Sequence, residues 1–79
     1  MEKQVTIYTT PTCHYCHMAK EFFQENNVEY IEHDVAKDMK AREEMVQMSG
    51  QMGVPVIQVG DEIIVGFNKE ALQEMLGIK

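Results

Sequence analysis

Polar and apolar positions alternate along Gln4-Val5-Thr6-Ile7-Tyr8-Thr9, and the β-branched side chains there predict a first strand over 4–9. Pro11 ends it, since proline has no N–H for a sheet ladder, and Thr12 is placed to cap a helix beginning near Cys13. The period then becomes helical. Ala19, Phe22 and Phe23 recur at three- and four-residue spacing, with Lys20, Glu21, Gln24 and Glu25 mostly between them, until Asn26-Asn27 stops the run. Residues 28–35 read as a second strand, with Val28, Tyr30 and Glu32 on one side and Ile31 and His33 on the other. A second helix is predicted over 36–48, capped by Asp34 or Asp38, apolar at Ala41, Met45 and Met48, and stopped by Ser49-Gly50. Two apolar runs, 55–59 and 62–65, flank Gly60-Asp61 and predict a hairpin. Asn68 opens a last amphipathic stretch with Ala71, Leu72, Met75 and Leu76, and Gly77 closes it.

The order βαβαββα predicts an α/β fold. A right-handed crossover makes the first two strands parallel and the hairpin adds an antiparallel pair, giving one mixed four-stranded sheet flanked by helices. A chain of 79 residues has room for a single core, so one domain is expected over 1–79. Thirteen acidic against seven basic side chains give a net charge of -6 with no basic stripe, which argues against a nucleic-acid partner. The uncharged segment 51–60 is too short and too broken by Gly and Pro to cross a bilayer, and Met1-Glu2-Lys3-Gln4 lacks the apolar block of a secretion signal. A cytoplasmic protein with no membrane association is the expectation.

The chemistry concentrates in Cys13 and Cys16. A bond between them closes a very small loop and removes little unfolded-state entropy, so stapling the fold is a poor use of the pair. In a reducing compartment a Cys-x-x-Cys more often serves redox catalysis or metal binding. Placed after a strand and at the start of a helix, Cys13 meets unsatisfied N–H groups and about half a positive charge, which favour its thiolate. Lowering a thiol pKa from about 8.5 to about 6 raises the thiolate fraction at pH 7 about thirtyfold, but falling nucleophilicity removes about tenfold of that. The larger consequence is that Cys13 also leaves easily, so exchange runs in both directions. Cys16, one turn deeper on the same face, is the expected resolving thiol.

Other readings of the same residues stay open. Cys13-His14-Tyr15-Cys16-His17 is also the literal attachment pattern of c-type haem, which needs export and a distal axial ligand. Zinc or an iron–sulfur cluster could use both thiolates with His14, His17 or His33, although a second Cys-x-x-Cys is missing. His33 near a strand end reads as a surface or satisfied core residue. His14 and His17 read as tuning the neighbouring thiols. Met39, Met45, Met48 and Met75 read as adaptable core fillers, and Phe22 and Phe23 as core.

The run Tyr8-Thr9-Thr10-Pro11-Thr12-Cys13-His14-Tyr15-Cys16, then Gly53-Val54-Pro55, then Val65-Gly66-Phe67-Asn68, resembles a small glutaredoxin of the thioredoxin superfamily over essentially the whole chain. The resemblance implies a thioredoxin fold and a thiol–disulfide oxidoreductase. It would reduce protein or glutathione mixed disulfides, with glutathione as co-substrate, no tightly bound cofactor, no metal and a monomeric state. It also implies a cis peptide at Val54-Pro55, with the Val54 backbone offered to an extended substrate. Thr12, Tyr15, Val54, Pro55, Gly66, Phe67 and Asn68 would form the groove, Gly66 permitting close backbone approach and Asn68 helping to hold a carboxylate. The chain departs from the family pattern in having His14 after the first cysteine and Thr10 where a basic residue is common. Val65-Gly66 replaces a Gly-Gly pair, and Asn68 stands for an Asp or Thr. Gly60-Asp61 and Gly66-Phe67 are also similar to redoxins that are recharged by thioredoxin reductase and supply ribonucleotide reductase. Two further roles on this scaffold are a cluster-binding glutaredoxin, holding iron–sulfur between two copies, and a non-catalytic interaction domain.

Overall fold

The computed structural model describes residues 4–77. Seven elements follow in order: β1 (Val5–Thr9), α1 (His14–Glu25), β2 (Ile31–Asp34), α2 (Met39–Ser49), β3 (Val56–Val59), β4 (Glu62–Val65) and α3 (Lys69–Leu76). The sheet order is β2-β1-β3-β4. β1 and β2 are parallel, with Ile7 opposite Glu32, while β1–β3 and β3–β4 are antiparallel, with Tyr8 opposite Val56 and Val56 opposite Val65. This is the mixed four-stranded sheet that the pattern predicts.

Successive side chains in a strand point to opposite faces, and the two apolar clusters divide along that alternation. Val5 and Ile7 of β1 and Ile57 and Val59 of β3 join Ala19, Phe22 and Phe23 of α1 and Leu72 of α3. Tyr8 and Val56 point the other way and pack with Val35 and with Ala41 and Met45 of α2. Burial, and then the charge of Glu44, push the Tyr8 phenol pKa up, so it stays neutral.

Besides shifts of one residue at other element ends, three boundaries differ from the sequence reading. Cys13, not Thr12, is the N-cap of α1, because it is the Cys13 side chain that meets the free N–H of Cys16. β2 starts at Ile31, not 28. The Val28 N–H is already used by Phe23 O at 2.8 Å, and Val28 and Tyr30 wrap the end of α1 against the first cluster. α2 starts at Met39, not 36, since residues 34–38 form a turn in which the Lys37 and Asp38 N–H groups donate to Asp34 O. Asp38 then caps the helix through Ala41 N at 3.1 Å. Of the methionines read as core, Met45 is buried and Met75 packs on the first cluster, but Met39 and Met48 are exposed.

Candidate active site

β1 delivers the chain to a tight turn over residues 10–13, closed by the Cys13 N–H donating to Thr10 O at 3.3 Å. Pro11 and Thr12 are exposed at its crest. Cys13 follows with φ -85° and ψ 111°, extended rather than helical, as a capping residue must be. Its Sγ accepts the Cys16 N–H at 3.1 Å. The sulfur therefore occupies the position that a serine or aspartate oxygen takes at an ordinary N-cap, and it faces a backbone donor that no helical carbonyl can use. The His17 N–H donates to Cys13 O at 3.3 Å. The His17 ring lies with Nε2 3.3 Å from Pro11 O, bracing the turn from the helix side.

Cys13 and Cys16 are joined as a disulfide with Cα atoms 5.2 Å apart. Their surroundings are unequal. Cys16 is 0% exposed, whereas Cys13 reaches solvent in part. Only the Cys13 side of the bond is open to a second sulfur.

Of the other residues expected to form the groove, Pro55 and Gly66 reach the same end of the sheet through strand pairing. β3 runs antiparallel to β1, so Pro55, just ahead of Val56, lies level with the end of β1 where the cysteine turn begins. The Val54-Pro55 peptide is cis, as the resemblance implies. Pro55 is buried and Val54 half-buried against the α2-side cluster. The Gly66 N–H donates to Pro55 O at 2.8 Å, which ties the β4–α3 connection to this proline. Gly66 has φ 85°, a left-handed conformation that strains other residues. Tyr15, on the first turn of α1, is 59% exposed.

Two of the expected groove residues have other commitments. The Phe67 ring turns onto Phe22, with centroids 6.1 Å apart, and packs against the α1-side cluster. Asn68 is exposed, and its Oδ1 caps α3 by accepting from Ala71 N at 3.1 Å. His14 lies edge-on to Tyr15 with centroids 5.8 Å apart, and His33 stacks on Tyr8 at 5.4 Å. Among the described residues no three His, Cys, Asp or Glu side chains gather into a metal site. No helix among them is long and apolar enough to cross a membrane.

Two features were invisible in the sequence. Thr9, buried at the end of β1, donates its hydroxyl to Glu32 Oε2 at 2.8 Å, and Lys20 of α1 pairs with the same oxygen at 2.9 Å. Burial opposes ionisation of Glu32, but hydrogen bonds from Lys20 and Thr9 and the charges of Lys20 and His17 outweigh it and lower its pKa. The second is an open groove of about 250 Å³ beside the cysteine turn, lined by Thr10, Val35, Ala36, Met39, Arg42, Met45 and Met52. Helical spacing marks Met45, but not the loop residue Met52, as facing it.

Comparison with known proteins fits this geometry. The family model described as Glutaredoxin matches residues 5–64. A glutaredoxin-like 8.6 kDa protein in the rubredoxin operon of Clostridium pasteurianum, itself uncharacterized, is 46% identical over 72 residues, covering 91% of this chain and 96% of that one. Glutaredoxin 3 of Escherichia coli K12 is 39% identical over 62 residues, 78% of this chain and 75% of that one. The crystal structure of the thioredoxin-like protein BC3987 superposes with a TM-score of 0.87 at 37% identity, covering 92% of this chain and 100% of that one.

Proposed function

The chain belongs to the glutaredoxin family of thiol oxidoreductases, and from that premise we propose that it reduces protein and glutathione mixed disulfides through the Cys13–Cys16 dithiol. The observation that carries the proposal is the contrast at the start of α1: a partly exposed Cys13 sulfur held against a free helix N–H, and a fully buried Cys16 behind it.

In the reduced protein the Cys13 thiolate attacks one sulfur of a substrate disulfide. A Cys13–substrate bond forms, the substrate's own S–S bond breaks, and the departing thiolate takes up a proton. Cys16 then gives up its proton and attacks the Cys13 sulfur, releasing the second substrate thiolate. Two electrons have passed to the substrate, and the Cys13–Cys16 disulfide seen in the structure remains. The Cys16 N–H favours both the attacking and the leaving role of Cys13, because it stabilises negative charge there each time it develops. Val54, beside the cis proline, offers its backbone to the substrate chain in strand-like pairing. Thr12, Tyr15 and Gly66 border the approach. A reducing cytoplasm keeps such a dithiol charged, and the protein works as a monomer without a bound cofactor.

The electron source is glutathione in this reading: two molecules reduce the disulfide and become one glutathione disulfide. A thioredoxin-reductase-type donor is the second reading. It is favoured by the apolar rim, where Tyr15, Met52 and Val65 are each more than half exposed, and by Asn68 Oδ1 being engaged in capping α3. The oxidised protein, offered glutathione with its reductase and separately thioredoxin reductase with NADPH, separates the two. Turnover in the first arm is the expected result. Turnover confined to the second removes glutathione from the cycle.

A further inference from the structure

In the segment joining α2 to the cis proline, one side chain pairs with both backbone groups of a single residue. Gln51 Oε1 accepts the Gly53 N–H at 2.6 Å, and Gln51 Nε2 donates to Gly53 O at 3.0 Å. The amide thus pairs with both backbone groups of one residue, as a neighbouring strand would. Its base is fixed to the end of α2. Ser49 Oγ is bonded to Met45 O at 2.7 Å and lies 3.4 Å from the Gln51 N–H, which donates to it.

Gly53 O belongs to the same peptide group as the Val54 N–H. Because that group is planar, a donor that fixes the carbonyl also fixes the direction of the N–H. We propose that Gln51 is a positioning residue for substrate binding, aiming the Val54 backbone at the incoming disulfide chain by clamping Gly53. The inference rests on the exchange reaction proposed above, with Val54 as its docking point. Pre-orienting 51–54 removes ordering that substrate binding would otherwise have to supply.

The clamp also accounts for the glycine. The Gly53 φ lies outside the left-handed region, so its backbone angle does not demand glycine. A Cβ there would instead sit 2.7 Å from Gln51 Oε1. That oxygen ends a flexible side chain, so Gly53→Ala need only displace the Gln51 amide. It should reproduce the loss of Gln51 and leave the fold intact.

The test uses Gln51→Ala, Gly53→Ala, their combination and Gln51→Glu. Steady-state kinetics would be measured on a mixed disulfide of glutathione with a cysteinyl peptide, alongside the pH profile of Cys13 alkylation by iodoacetamide. Each single alanine variant should raise KM about fivefold with kcat changed less than about twofold, the scale of a lost pair of hydrogen bonds. The double variant should be no worse than either single one, because both remove the same pairing. Gln51→Glu keeps the acceptor for the Gly53 N–H but loses the donor, and should fall between. Alkylation profiles should match the unaltered protein, which distinguishes aiming of Val54 from disturbance of the cysteine turn. An unchanged KM in the single variants, effects that multiply in the double variant, or an alkylation profile that moves with them would overturn the assignment. Full turnover in Cys13→Ser would instead sink the exchange reaction itself, whatever Gln51 does.

Discussion

The two faces of the sheet are built differently. One is covered by α1 and α3 and closed by Phe22, Phe23 and Leu72 against Ile7 and Ile57. The other is covered by α2 alone, with Met45 and Ala41 against Tyr8, Val35 and Val56, and an open groove remains beside it. The helix that carries both cysteines is anchored on the first face by its aromatic residues. The loop leading to the cis proline springs from the second, held by side-chain hydrogen bonds rather than by deep packing. For the proposed reaction the difference teaches a division of work: Cys13, as the attacking sulfur, caps a helix anchored by aromatic packing, and Val54, as the docking backbone, belongs to the smaller layer.

The largest effect that sharpens this division is chemical. Cys13→Ser should lower mixed-disulfide reduction by more than about a thousandfold while circular dichroism stays unchanged, since the attacking sulfur is gone and the packing is not. Next is the anchor. Phe23→Ala removes a 0% exposed ring from the first face and should cost about 3–5 kcal/mol in urea denaturation, a large part of a small domain's stability. Met45→Ala on the second face should cost less, about 2–3 kcal/mol, and equal losses would break the comparison. A smaller effect belongs to α3: Asn68→Ala removes the bond to Ala71 N and should cost about 1 kcal/mol.

The smallest concerns the tie between α1 and β2. The folded Glu32 pKa is lowered, so its contribution is full above the unfolded glutamate pKa and is lost as pH falls through the lowered folded value. More than a third of that side chain is exposed, so solvent screens the pair and the contribution is small. Glu32→Gln should lower stability slightly at neutral pH and leave it unchanged at low pH, which flattens the acid limb of a stability-versus-pH curve, and an unaltered acid limb would remove Glu32 from that account.

Much of this was legible in the chain. The change of period between Thr9 and Ala19 located β1 and α1, Gly60-Asp61 located the hairpin, and the Cys-x-x-Cys located the chemistry. Local patterns could not give features set by pairing at a distance. Thr9 and Glu32 are 23 residues apart and meet only because parallel register places β2 beside β1. The capping role of Cys13 depends on its own backbone angles, whereas residue type alone points to Thr12. Met48 shows the same limit, since helical spacing names a candidate apolar face but not which neighbour covers it, and the resemblance that puts Phe67 in the groove does not show its ring packing on Phe22. The Gln51–Gly53 clamp has no periodicity at all.

The most direct test of the central claim is trapping in Cys16→Ser. The reduced variant would be mixed with a disulfide substrate, quenched with acid and mapped by peptide mass spectrometry. A stable substrate adduct on Cys13 is the expected result, because the buried partner that would release it is gone. No adduct from that variant, with an adduct on Cys16 in the matching Cys13→Ser experiment, would contradict the account.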